Sequence, residues 1–300
     1  MLDATYDAVV AGVRKRLDVE LVRRRLAASR EQAQAYIGAG RVLVSGAVAE
    51  KASRLVGSDE PLVLTGDRPR FVGRGGEKLN SALAQFELDV KGRRVLDVGA
   101  STGGFTDCLL QRGAASVVAI DVGYGQLHER LRADPRVQSY ERQHVRDSPF
   151  LLAERFSLVV GDLSFISLVT VAPSIAQLAT PDGQAVLLVK PQFEAGRAEV
   201  SRGSGVIRDP LIRRRTVVAV VDAFAKVGGA MMGGMRSPIL GADGNVEFLV
   251  HFAFGDVPPA PVPIDVMINA MIDPLPDLVT DAITQAELSA SPGGSGAASS

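Results

Sequence analysis

Short apolar runs recur along the middle of the chain, and several end in an acid or a lysine. Val95–Val98, Ser116–Asp121, Val137–Tyr140, Phe156–Asp162, Ala185–Lys190 and Val246–Phe252 read as strands. Between them lie helical stretches. Glu77 to about Phe86, Gly104 onward with Leu109 and Leu110 inward, Gly125 to Ala133, and Ile212 to Lys226 carry that spacing. Leu163 to Pro181 has no charged residue, but its Ser, Thr, Gln and Pro173 predict a connection and a sheet-covering helix rather than a membrane span. Alternating strands and helices predict an α/β fold whose sheet is mostly parallel, with helices on both faces.

The first 64 residues carry a different pattern. Leu17, Leu21 and Val22 share a helical face, with Arg23 to Arg25 expected largely in water. Ser29 is placed to cap a second helix over Arg30–Ala39, and Gly40 stops it. Val42–Val44 and Val48 flank Ser45-Gly46 as a hairpin signal, and Leu62–Leu64 closes a small α+β unit. The expected domains are therefore 1–64, a polar linker 65–76, a large domain 77–255, and an acidic, disordered tail 256–300 with room for a short amphipathic helix within 265–288.

Charge sharpens that division. The 300-residue chain has a net charge of −1, but residues 1–75 carry 13 Lys/Arg against 9 Asp/Glu, a net of +4. Residues 255–300 carry 6 acids and no Lys/Arg. A single cysteine, Cys108, leaves no intramolecular disulfide and no multi-cysteine zinc site. No histidine has a partner at metal-ligand spacing, so no metal is expected. Met1 to Leu17 has no apolar signal core, which points to a cytoplasmic setting.

The candidate chemistry centres on Asp97-Val98-Gly99-Ala100-Ser101-Thr102-Gly103-Gly104, a strand, a turn of small residues and a helix start. Glycines let a ligand approach the backbone. An acid two residues before the first Gly suits a ligand bearing an ammonium group, such as S-adenosylmethionine, better than a pyrophosphate. Asp121 ends the next strand, where it could accept ribose hydroxyls. The expected donor site is Asp97, Gly99, Ser101, Gly103, Gly104 and Asp121. Lys78 at a helix start, Asp162 and Lys190 at strand ends, and Glu247 in a late strand then stand out by position, because a buried lysine at a strand end is unfavourable unless paired or functional.

Two resemblances follow. Arg16-Leu17-Asp18, Leu26-Ala27, Ser29-Arg30, Gly40, Val42, Val44, Gly46 and Lys51 resemble the S4 RNA-binding domain. This implies a basic face of Arg16, Arg23, Arg24, Arg30, Arg41 and Lys51 against structured RNA. Residues 16–254 as a whole resemble TlyA-type ribosomal RNA 2′-O-ribose methyltransferases, an S4 domain joined to an FtsJ-like domain. The carrying motifs are Gly73–Leu79, Asp97–Phe105, Asp121–Leu127, Asp162–Ser167 and Lys190–Glu194. Gly73 replaces a usual Ser, and Gln143-His144 a usual Thr-Asn. The resemblance implies a Rossmann-like methyltransferase domain, a Lys78-Asp162-Lys190-Glu247 tetrad with Lys190 as general base, and methyl transfer to a cytidine ribose 2′-OH of 16S and/or 23S RNA. The partners implied are ribosomal RNA or subunits, not DNA or membrane. Because the family also carries a haemolysin label, a membrane-acting protein is one alternative, and a non-catalytic assembly factor is another.

Overall fold

The computed structural model describes residues 14–66, 69–148, 153, 155–241, 243–256, 260 and 262–273. Two compact units divide after Arg70. The first contains β1 (Lys15–Arg16), α1 (Leu17–Arg23), α2 (Arg30–Gly38), β2 (Val42–Val44), β3 (Ala47–Val48), β4 (Leu55–Val56) and β5 (Leu62–Leu64). Ser29 Oγ accepts from the Gln32 amide at 3.2 Å, so the capping residue legible in the sequence starts α2. β3, β2 and β5 form one antiparallel sheet, and β1 pairs with β4. Leu17, Leu21, Ala33, Ile37, Val42 and Val44 form its core.

The second unit begins with Phe71, which is buried among α3 and its neighbours. Its helices are α3 (Gly75–Gln85), α4 (Gly104–Gln111), α5 (Glu129–Arg132), α6 (Leu168–Leu178), α7 (Pro191–Glu194), α8 (Arg197–Arg202), α9 (Pro210–Ala225) and α10 (Ile264–Ile272). Its strands are β6 (Arg94–Val98), β7 (Ser116–Asp121), β8 (Val137–Glu141), β9 (Phe156–Gly161), β10 (Ala179–Val189), β11 (Gly229–Arg236) and β12 (Phe248–Phe254). The sheet order is β11-β12-β10-β9-β6-β7-β8, parallel from β10 through β8 and antiparallel where β12 meets β10 and β11. This is the expected mostly parallel, Rossmann-like sheet.

Alternation along each strand supplies two apolar layers. Val95, Val117, Leu158, Val160, Val186 and Leu249 face α3 and α4. Leu96, Val118, Val159, Leu187, Val250 and Phe252 face α6, α9 and α10. Covering both faces explains why every β12 residue is buried, His251 included.

Two differences from the sequence reading concern the C-terminal part. β11 was not anticipated: Gly-Ala-Met-Met-Gly-Gly-Met-Arg has too many glycines to read as a strand, and pairing with β12 overrides that composition. The tail also does not begin at 256. Ile268, Met271 and Ile272 of α10 bury their side chains in the core, each contributing about 1.5–3 kcal/mol. The remainder of the expected tail, 274–300, lies outside the described residues.

Candidate functional site

The carboxyl ends of β6, β7, β9 and β10 meet at one edge of the sheet. β12 runs the other way, so its first residues arrive at the same edge. Val189 pairs with Phe248, which sets Lys190 and Glu247 at neighbouring positions just beyond the ladder. The N-terminus of α3 packs here as well, since a Cβ on Gly75 would lie 3.4 Å from Asp162 Oδ2.

The turn after β6 is tightly constrained. Gly99 has φ +82°, and a Cβ there would come within 2.9 Å of the Asp162 carbonyl oxygen. Ser101 holds a left-handed φ of 47°. Its amide donates to Asp121 Oδ2 at 2.8 Å, and the Gly123 amide donates to Asp121 Oδ1 at 2.7 Å. Asp121 therefore ties two turns together. Each of its oxygens retains acceptor capacity for a further donor. Gly103 starts α4 with φ +95°, and its α-carbon faces Leu127 and Leu131. A pocket beside the turn is lined by Gly75, Gly99, Ala100, Ser101, Thr102, Gly104, Phe105 and Asp162.

Asp97 is not placed as expected. Its residue is fully buried, and Oδ2 accepts from Thr106 Oγ1 at 2.6 Å. Desolvation pushes its carboxyl up to about 7; the Thr106 hydrogen bond opposes this, and the Asp162 and Asp121 charges reinforce it. Asp97 braces α4 from beneath the turn. The acid that lines the pocket is Asp162.

The four charged residues resolve into two ion pairs. Lys78 Nζ lies 2.5 Å from Glu247 Oε2, with both residues buried. Lys190 Nζ lies 2.6 Å from Asp162 Oδ1. One helix start joins the pairs: Gly75 packs on Asp162, and Lys78 follows one turn later on α3.

Several neighbours were not singled out from the sequence. Lys190 Nζ also donates to Ser164 Oγ at 2.8 Å. Glu194 accepts from Ser167 Oγ at 2.5 Å and from the Leu168 amide at 2.8 Å, capping α6 across loops. Burial raises the Glu194 carboxyl above its ordinary value despite those donors. Phe165 has a left-handed φ of 63°, is 92% exposed, and rests at 5.2 Å from the Phe193 ring. All of these fall inside the Asp162–Ser167 and Lys190–Glu194 motifs, so the signal was position within a motif rather than residue type.

In the first unit, acids organise the expected basic face. Buried Asp18 accepts from Arg16, Arg30 and Gln34. Buried Glu20 accepts from Arg23 and Arg24, and the Arg23 contact first holds its carboxyl down at about 2. Arg16, Arg23 and Arg30 remain substantially exposed, and Lys51 is exposed. Arg41 lies over the Tyr36 ring and donates to the Thr65 carbonyl. Arg24 departs from the expectation of a water-facing side chain. Its guanidinium also donates to the Gly57, Ser58 and Glu60 carbonyls, clasping the loop before β5. No metal-holding cluster and no helix long and apolar enough to cross a membrane occurs among the described residues.

Comparison with known proteins agrees with this layout. The FtsJ-like methyltransferase model matches residues 71–254, and the S4 domain model matches residues 15–61. The chain is 50% identical over 239 residues to the 16S/23S rRNA (cytidine-2′-O)-methyltransferase TlyA of Mycobacterium tuberculosis, covering 79% of this chain and 89% of that one. It is 42% identical to Hemolysin A of Brachyspira hyodysenteriae, covering 75% of this chain and 93% of that one. A solved structure of a hemolysin-named protein from Streptococcus thermophilus is 37% identical, with TM-score 0.69, covering 92% of this chain and 98% of that one.

Proposed function

Because the chain belongs to the FtsJ-like methyltransferase family and carries an S4 domain, we propose that it methylates a cytidine ribose 2′-OH of 16S or 23S ribosomal RNA, using S-adenosylmethionine. The observation that carries this reading is the pairing of two buried lysines with carboxylates, beside a glycine-walled pocket.

The residues fit the donor. Gly99, Ala100, Ser101, Thr102 and Gly104 offer a wall without bulky side chains, where a Cβ on Gly99 or Gly104 would strike backbone. Asp121 has acceptor capacity for ribose hydroxyls. Asp162 offers a carboxylate to the ammonium end, the role first expected of Asp97. When bound, the donor supplies an electrophilic methyl group, and its sulfur keeps the electron pair as the methyl leaves.

The protein's share is positioning and proton transfer. A 2′-OH reacts once a base takes its proton as the oxygen attacks. Lys190 Nζ, as the amine, accepts that proton. Asp162 fixes the nitrogen. Lys78, fixed by Glu247, presents a cation that holds the hydroxyl oxygen. Phe165, exposed beside Phe193, offers a face on which the target base can stack. Arg16, Arg23, Arg30, Arg41 and Lys51 supply cations for RNA phosphates. Arg24 serves the fold of the S4 unit.

The test is Lys190→Ala, assayed with ribosomal subunits lacking the modification. The expected outcome is loss of methyl transfer with RNA binding and fold retained. Full transfer by the variant would overturn the assignment. Equal ribosome assembly by the variant and the parent, without transfer by either, would favour an assembly factor.

A further inference from the structure

The surroundings of Lys190 Nζ contain more than the reading above uses. A tetrahedral nitrogen has four positions. One is the bond to Cε. A second carries an N–H to Ser164 Oγ, which accepts at 2.8 Å. Asp162 Oδ1 lies 2.6 Å away as an ion-pair partner and accepts no hydrogen bond from the nitrogen. The other two positions carry protons in the ammonium, and one of them carries the lone pair in the amine. The Asp162 charge alone sets no N–H direction, so the nitrogen could turn about Cε–Nζ and sweep its lone pair around a cone. The Ser164 hydrogen bond restricts that rotation.

We infer that Ser164 is a positioning residue for the base, aiming the Lys190 lone pair at the 2′-OH. This deepens the proposed methyl transfer and rests on it. The carrier loop is itself fastened to the segment that begins at Lys190. Glu194 grips Ser167 Oγ and the Leu168 amide, at the end of the loop that starts with Asp162. Phe165 packs against Phe193 between those anchors. Lys190 Nζ lies 5.6 Å from the Phe193 ring centroid, so the same segment bounds the nitrogen on another side. Ser164 is thus held at both ends of its loop, as a group that sets an angle must be.

The experiment compares Ser164→Ala and Ser164→Thr in the full chain, with S-adenosylmethionine and unmodified ribosomal subunits. Ser164→Ala is expected to lower kcat by about 10- to 100-fold, because misaimed groups lose effective concentration. KM for the subunits, donor Kd and Tm should stay at parental values. Ser164→Thr, which keeps an oxygen at the γ position, should recover most of the lost kcat. Parental kcat in Ser164→Ala, or a fall in Tm and donor affinity that accounts for its loss, would overturn the inference alone. Absence of transfer by the parent protein would overturn the methyltransferase reading and this inference with it.

Discussion

Asp97→Asn should stabilise the protein at alkaline pH and do progressively less toward acid. The Asp97 carboxyl is fully enclosed, and its Oδ1 has no hydrogen-bond partner among the described residues. Burial lifts it from an ordinary 3.8 to about 7. A carboxyl raised on folding gives stability that is whole below the unfolded value and lost as pH climbs through the folded one. At pH 5 the folded state still holds the proton; at pH 8 it has given it up at a desolvated site. The pH-dependent difference between variant and parent should therefore grow by about 3 kcal/mol from pH 5 to pH 8, at about 1.36 kcal/mol per unit. Asn is nearly the same shape and can still accept from Thr106 Oγ1, so packing should change little. Urea unfolding of both proteins across that range reads the difference directly. A difference that is flat with pH, or that narrows toward pH 8, would refute the claim that a buried, ionising Asp97 limits stability.

Two other perturbations test separate parts of the argument. His251 stacks at 5.5 Å on Phe86, and burial lowers its imidazole to about 4. A depressed histidine contributes stability that is present above its unfolded value of 6.5 and lost as pH falls through 4. His251→Phe keeps the stack, and its pH-dependent gain over the parent should approach about 3 kcal/mol near pH 4 and vanish above pH 6.5, read by the same unfolding series. Gly104→Ala would put a Cβ 3.0 Å from the Gly76 amide nitrogen and 3.2 Å from the Gly73 carbonyl oxygen. Backbone cannot swing aside as a side chain can, so a loss of about 1–3 kcal/mol in thermal unfolding is expected, with weaker donor binding by calorimetry.

What could be read from the sequence depended on how local its cause was. Ser29 announced the start of α2 because a cap acts within one turn of helix. The strands Val95–Val98 and Ser116–Asp121 were legible because both their faces are buried, leaving continuous apolar runs. β11 was hidden because only β12 makes its glycines a strand. Site residues followed the same rule. Lys78, Asp162, Lys190 and Glu247 stood out as charges at element ends, but which lysine pairs with which acid depends on tertiary neighbours. Asp97 looked like a ligand because its spacing to Gly99 suits one. Its enclosure by α4 is a packing fact that no spacing records. Ser164 and Glu194 gave no signal of their own, since a serine and a glutamate in polar loops have many ordinary explanations.

The Lys78–Glu247 contact spans 169 residues of sequence. Among the described residues, the strand that follows Glu247 is also the last to be made, and it must slot between β10 and β11, both synthesised earlier. A nascent chain can thus finish the whole donor cradle on the ribosome while one lysine still lacks its carboxylate. Premature termination before that strand would yield a product with the cradle's sequence intact and no second ion pair.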